Sequence, residues 1–198
     1  MENKELVEEL MTYIKNQFSL LQQLERKPNS GGAIRKINGE TTEEIVQKIW
    51  NFLAEKYPGK NASVKKGDDA PIVLTDFENN SIEESVDQHC FINNKLVLTV
   101  ECKSYLDKCY MQRADSDFQL MKTGSKESFD CVILSFEDGI ALSTFKYFMN
   151  RKNIDHVFYL AEGKRCSKKE RRLYNNIDKV KMNLIEAFVS YCESFFIS

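Results

Sequence analysis

The chain is poor in the residues on which several common chemistries depend. Only two histidines occur in 198 residues, and the six cysteines are scattered without a C-x-x-C pair, which argues against a zinc centre. A cysteine nucleophile would need a partnered histidine, and the sequence offers no such pairing. Charge of one sign is not in excess either. The formal net charge is −2, so any nucleic-acid surface has to be local rather than a property of the whole chain. No apolar run approaches membrane-spanning length, and Met1-Glu2-Asn3-Lys4-Glu5 lacks the character of a signal peptide, so the expected location is the cytoplasm. In that compartment Cys90, Cys102 and Cys131, which lie in apolar runs, read as reduced thiols of the core.

What is present is an ordinary globular composition, 42% apolar and 29% charged, in a chain long enough for a sizeable core without staples. Repeats, low-complexity tracts and linkers are missing, so a single domain over 1–198 is expected. Leu6, Leu10, Ile14, Phe18, Leu21 and Leu24 recur at helical spacing and predict an amphipathic helix over 2–25, broken by Pro28-Asn29-Ser30-Gly31-Gly32. Thr41 with Glu44 has capping-box spacing and predicts the start of a second helix, ending at Pro58-Gly59. Strands are expected over 63–66, 72–77, on both sides of Asn93-Asn94, over 130–136 and over 157–161. Helices are expected over 108–123, with Asp107 as N-cap, and over 142–149. A second capping box, Ser167 to Glu170, predicts a long final helix over about 168–196, with Leu173, Ile177, Val180, Leu184, Phe188, Tyr191 and Phe195 on one stripe. The order is that of an α/β protein, a mixed sheet with helices on both faces.

The chemistry concentrates between Asp87 and Lys103. An apolar strand, Leu96 to Val100, runs directly into Glu101-Cys102-Lys103. Alternation puts Glu101 and Lys103 on one face and Cys102 on the other. Burying a carboxylate and an ammonium at the end of a strand is costly, so such residues are more often kept for chemistry than for stability. Ile92-Asn93-Asn94-Lys95 is a turn signal. A three-residue loop over Asn93 to Lys95 would set Asp87 opposite Glu101 and His89 opposite Thr99, whereas a two-residue Asn-Asn loop would pair Asp87 with Val100 and separate the acids. A shared acidic site therefore requires an odd loop or a bulge. Two carboxylates side by side with a lysine two residues on make an oxygen-rich site for a hard divalent cation, and Mg²⁺ suits it because it takes few carboxylates and accepts phosphate oxygens. The competing reading is a plain Glu101–Lys103 pair at a strand end.

A helix, a strand meander carrying an Asp and then E-x-K, and a following helix and strands are together the layout of the PD-(D/E)xK nuclease superfamily. Over roughly 41–162 the chain resembles a small type II restriction endonuclease of that group, on Asp87, Glu101 and Lys103 and the run Glu101-Cys102-Lys103-Ser104-Tyr105-Leu106-Asp107. The resemblance implies a restriction-endonuclease-like fold in which Asp87, Glu101 and the main-chain carbonyl of Cys102 hold Mg²⁺ and Lys103 positions or activates the attacking water. It further implies an accessory acid on the preceding helix, Glu44 or Glu43. Val86 stands where the family pattern has proline, and Asp76, Asp68 and Asp69 are rivals for the first acid. His89 is expected to be structural or to contact DNA.

Lys164, Arg165, Lys168, Lys169, Arg171 and Arg172 crowd a predicted helix start, where the helix dipole disfavours cations, so phosphate is the expected partner. Arg35 and Lys36, in an expected Gly-Gly loop, and Lys65 and Lys66 are further candidates for DNA contact. The resemblance implies double-stranded DNA as substrate and a homodimer, since enzymes of this type usually cut palindromes. A repair or recombination nuclease of the same superfamily and a non-catalytic DNA-binding module are the alternatives.

Overall fold

A computed structural model describes residues 3–27, 31–75, 80–163 and 177–198, without the side chains of residues 31, 34, 35 and 75. Two long helices, α1 (Asn3–Glu25) and α2 (Gly31–Lys56), precede strand β1 (Ala62–Lys66). Strands β2 (Ile72–Thr75) and β3 (Ser81–Glu84) pair with each other as a separate antiparallel ribbon. Strands β4 (Gln88–Ile92) and β5 (Lys95–Leu106) form a hairpin, followed by α3 (Lys108–Gly124), β6 (Asp130–Asp138), α4 (Leu142–Asn150), β7 (His156–Tyr159) and α5 (Met182–Ile197).

The five-stranded sheet runs β1-β4-β5-β6-β7. Neighbours among its first three strands pair antiparallel and its last three strands run parallel, with α3 and α4 as the crossovers that parallel pairing demands. One face of β5 and β6 (Leu98, Val100, Cys102, Val132, Leu134, Phe136) packs with the buried stripes of α1, α2 and α5, around Leu10, Ile14, Trp50, Leu53, Phe188 and Phe196. The other face, through Cys131 and Ile133, meets Met111, Phe118 and Met121 of α3 and Phe148 of α4. The mixed sheet with helices on both faces is therefore as expected, and the fold is compatible with a restriction-endonuclease-like core. No described helix is long and apolar enough to cross a membrane.

Three expectations need correction. The second helix does not begin at Thr41. It starts ten residues earlier, the Gly-Ala-Ile-Arg-Lys segment is helical rather than a loop, and Thr41 and Thr42 bond back to the carbonyls of Ile37 (2.6 Å) and Asn38 (3.0 Å). A threonine hydroxyl can cap a helix or return to the carbonyl four residues back, and sequence spacing does not distinguish the two. The final helix starts at Met182. Residues 164–176, with the second capping box, lie outside the described residues, Ile177–Lys179 form a 3₁₀ turn, and Val180 bridges Ala161. Finally, β3 was not anticipated, because Ser81–Glu84 is mostly exposed and carries two acids.

Candidate active site

The hairpin that carries the acids reaches its register by the less obvious of the two routes. Asn93 (φ 52°) and Asn94 (φ 62°) are both left-handed, so the loop is a two-residue turn closed by Ile92 and Lys95, and of the odd loop or bulge that a shared acidic site requires, it is the bulge that occurs. On that turn alone the acids would fall on opposite faces. The register then shifts: Phe91 pairs with Leu96, but Cys90 pairs with Leu98, leaving Val97 as the extra residue of a β-bulge. The bulge is visible in the packing. Leu96 and Leu98, two apart on one strand, belong to opposite faces of the sheet. Beyond it His89 faces Thr99 and Gln88 faces Val100, so Asp87, just ahead of β4, comes level with Glu101.

Asp87 is fixed from several sides. One carboxylate oxygen, Oδ2, accepts the Cys102 N–H at 2.7 Å and lies 3.4 Å from Lys103 Nζ. Its carbonyl accepts the Gly67 N–H at 3.3 Å. Gly67 follows β1 and lies so close that a Cβ there would meet the Val86 carbonyl oxygen at 1.8 Å. His89 is fully buried. Its Nδ1 lies 2.8 Å from the Ala70 carbonyl and its Nε2 3.4 Å from the Val86 N–H, so a neutral ring that donates from Nδ1 and accepts at Nε2 ties two chain segments together beside Asp87. Burial pushes its pKa down, in keeping with that neutral form. The expectation of a structural histidine holds, and a fully buried ring does not reach DNA.

Lys103 is the shared cation of the two acids, in a short ion pair with Glu101 Oε1 and 3.4 Å from Asp87 Oδ2. Burial pushes the Lys103 pKa down, but Glu101 and Asp87 outweigh it and hold the ammonium charged. Glu101 moves the other way. Burial, with only 7% of its side chain exposed, and then Asp87 raise its pKa against the pull of Lys103. Tyr110, in the first turn of α3, places its ring centroid 5.8 Å from the Lys103 ammonium. Asp107 caps that helix as expected, accepting the Tyr110 N–H at 3.0 Å.

Asp87, Glu101 and Lys103 open into a cleft of about 440 Å³. Its described lining includes five carboxylates (Glu43, Asp68, Asp87, Glu101, Asp117) and three cations (Lys66, Lys103, Arg113). Glu44 is not among them. It accepts a hydrogen bond from the Tyr13 hydroxyl at 2.5 Å, and Glu43 is the residue of α2 in the cleft, 3.6 Å from Lys66. Burial and then Asp87 raise the pKa of Glu43. Of the rivals to Asp87, Asp68 lines the cleft and accepts from Ser85 Oγ at 3.0 Å, Asp69 is exposed outside it, and Asp76 lies outside the described residues. Asp117 and Arg113 escaped the sequence reading. The signal was there in Tyr110, Arg113 and Asp117, which share one helical stripe at i, i+3 and i+7.

Among the described residues no three or more histidine, cysteine or acidic side chains are gathered as a metal cluster. Magnesium does not require one, since it keeps several waters and is held by one or two carboxylates plus substrate oxygens. Asp87 and Glu101 are hard oxygen donors that already share one cation, the Lys103 ammonium. In an extended strand the N–H and C=O of one residue lie on the same edge, so the Cys102 carbonyl faces the Asp87 side as its N–H does. The donor set fits Mg²⁺.

The candidate DNA contacts are not brought together in the described part of the molecule. Lys164, Arg165, Lys168 and Lys169 lie outside the described residues, as does the side chain of Arg35. Lys36 is exposed on α2 and pairs with Glu40 at 3.7 Å, Lys65 lies over the Phe91 ring at 5.6 Å, and Lys66 lines the cleft.

No family model matches the chain. It is 29% identical over 113 residues to a type II restriction enzyme, DdeI, of Desulfomicrobium norvegicum (strain DSM 1741 / NCIMB 8310), with 47% of each protein covered. The chain thus spans about half the length of the curated relative it matches.

Proposed function

We propose that this protein is a restriction-type endonuclease that hydrolyses phosphodiester bonds of double-stranded DNA at specific sequences, with Mg²⁺ as cofactor. The observation that carries the reading is the meeting of Asp87, Glu101 and Lys103 in one acidic cleft, reached through a bulge that a purely structural hairpin does not need. Similarity to a type II restriction enzyme supports the same reading.

Asp87, Glu101 and the carbonyl of Cys102 would hold the metal, with Glu43 as accessory acid. Bound there, Mg²⁺ supplies charge neutralisation at the phosphoryl group. The Lys103 ammonium, shared by both acids in the free protein, hydrogen-bonds the attacking water and offsets negative charge as it grows on the phosphate. Tyr110 limits where that ammonium can go. Asp87 keeps its orientation because Cys102, Gly67 and the His89 clamp fix its backbone and carboxylate. Recognition of a palindrome would call for a homodimer, which sedimentation velocity would reveal as a species near twice 23.0 kDa.

The test is digestion of phage DNA with Mg²⁺ or with EDTA, beside Lys103→Ala. Discrete fragments that need Mg²⁺ are expected, with cleavage by the variant lower by about 10³-fold, within the range of a positioned proton-transfer or water-orienting group. A smear would favour a repair or recombination nuclease. Retarded but uncut DNA would favour a non-catalytic binding module and overturn the enzymatic reading.

A further inference from the structure

The cleft has a charge problem that the catalytic residues leave unsolved. Five carboxylates line it against three cations, and each cation is already paired with acids of the same wall. Lys103 is 17% exposed and shared by Asp87 and Glu101, while Lys66 pairs with Glu43. A phosphodiester entering such a wall meets more negative than positive charge unless a cation can be turned toward it.

Arg113 meets that requirement. Among the described residues it is the only guanidinium lining the cleft, and its side chain is 76% exposed. It forms an ion pair with Asp117, one turn on, at 3.6 Å from Nε to Oδ2. A helix-surface i, i+4 pair at this separation, with the guanidinium exposed and the carboxylate half-buried, is weak, so exchanging it for another anion takes little. Arg113 also lies one turn along α3 from Tyr110, whose ring rests on the Lys103 ammonium, so its fork of donors stands beside the residue that faces the attacking water. Guanidinium geometry matches two phosphate oxygens at once, which a lysine at the same place would not do.

We propose that Arg113 is a phosphate-binding residue of the cleft, parked on Asp117 in the free protein and transferred to a backbone phosphate of the strand being cut. This rests on the nuclease reading above. Asp117 is then the residue that stores the guanidinium at the cleft wall, and the α3 stripe of Tyr110, Arg113 and Asp117 is a substrate-facing surface.

The transfer predicts a measurable electrostatic signature. Binding of a fluorescein-labelled, mixed-sequence 30-base-pair duplex is followed by anisotropy in Ca²⁺ across a KCl series. Wild type, Arg113→Ala, Arg113→Lys and Asp117→Asn are compared, and each is also assayed for cleavage of phage DNA in Mg²⁺. Arg113→Ala is expected to weaken binding about tenfold at 0.1 M salt and to reduce the slope of log K against log salt by about one, the loss of one phosphate contact. Arg113→Lys should restore the slope but only part of the affinity, and Asp117→Asn should bind as tightly as wild type or tighter. Unchanged affinity and slope in Arg113→Ala, with wild type still cutting DNA, would overturn the phosphate role alone. Wild type that neither binds the duplex nor cuts phage DNA would overturn the nuclease reading, and this inference with it.

Discussion

Two lysine–carboxylate clusters in this molecule are built from the same groups and resolved in opposite ways. Near the two ends of the chain, Glu193 of α5 accepts hydrogen bonds from Asn3 Nδ2 (2.7 Å), Lys56 Nζ (2.6 Å) and the Tyr57 hydroxyl (2.7 Å). One acid there is satisfied by three donors. In the cleft the ratio is reversed, with one lysine serving two acids and further carboxylates beyond them. The pKa directions follow. Partial burial pushes Glu193 up, but the bonds from Lys56, Tyr57 and Asn3 outweigh it and hold the carboxyl below its usual range, whereas burial and Asp87 push Glu101 above it. A donor-rich cluster joins helices. An acid-rich one remains short of positive charge and is suited to receiving more of it.

That contrast can be broken without touching a charge. Gly67→Ala would place a methyl group where the Val86 carbonyl already stands, so the backbone carrying Asp87 must move. DNA cleavage is expected to fall by about a hundredfold, the scale of a displacement of about 1 Å in a catalytic group. Cleavage rates within threefold of wild type would show that the placement of Asp87 is not limiting.

Glu193→Ala should lower the stability toward urea by about 2 kcal/mol, since it strips a charged acceptor from three donors, and should leave cleavage unchanged. The pH dependence has a definite sign. A carboxyl whose folded pKa is depressed stabilises the fold above its unfolded value, near 4.5, and loses that contribution as pH falls through the folded value. Wild type should therefore lose its advantage over Glu193→Ala in acid. A constant difference in unfolding free energy between pH 7 and pH 3 would sink the assignment.

Glu101→Gln is the smallest change and the one that sharpens the comparison. It leaves Lys103 with a single acid and removes a buried like charge from Asp87. Because burial and Asp87 hold the Glu101 carboxyl above its usual range, its charge costs the fold stability at neutral pH. The variant should therefore be no less stable than wild type while cleavage is lost. If thermal unfolding instead shows a loss comparable to Glu193→Ala, the two clusters are of one kind after all.

Much of the molecule was legible before any coordinates. Periodicity gave α1, α3 and α4 to within a residue or two, and β-prone or apolar runs gave β1, β4, β5 and β6, because those signals depend only on near neighbours. Alternation placed Glu101 and Lys103 on one face, and Asp107 capped α3 as its position implied. The start of α2 was misread because Thr41 and Glu44 satisfy a local rule that a longer helix overrides. The choice between Glu43 and Glu44 could not be made either. It depends on the rotation of α2 against the sheet, which no spacing within the helix reveals.

The sequence by itself determined which residues could do chemistry: a strand ending in Glu101-Cys102-Lys103, an aspartate one hairpin arm away, and a helix capped directly after them. Only the tertiary structure decided that they meet. The Asn-Asn turn alone would have parted the acids. The bulge at Val97 reunited them, because burial of Leu96 on one face and Leu98 on the other pins the slip that the turn does not supply. A turn is written in two residues. A register is settled by everything packed against both faces of the sheet.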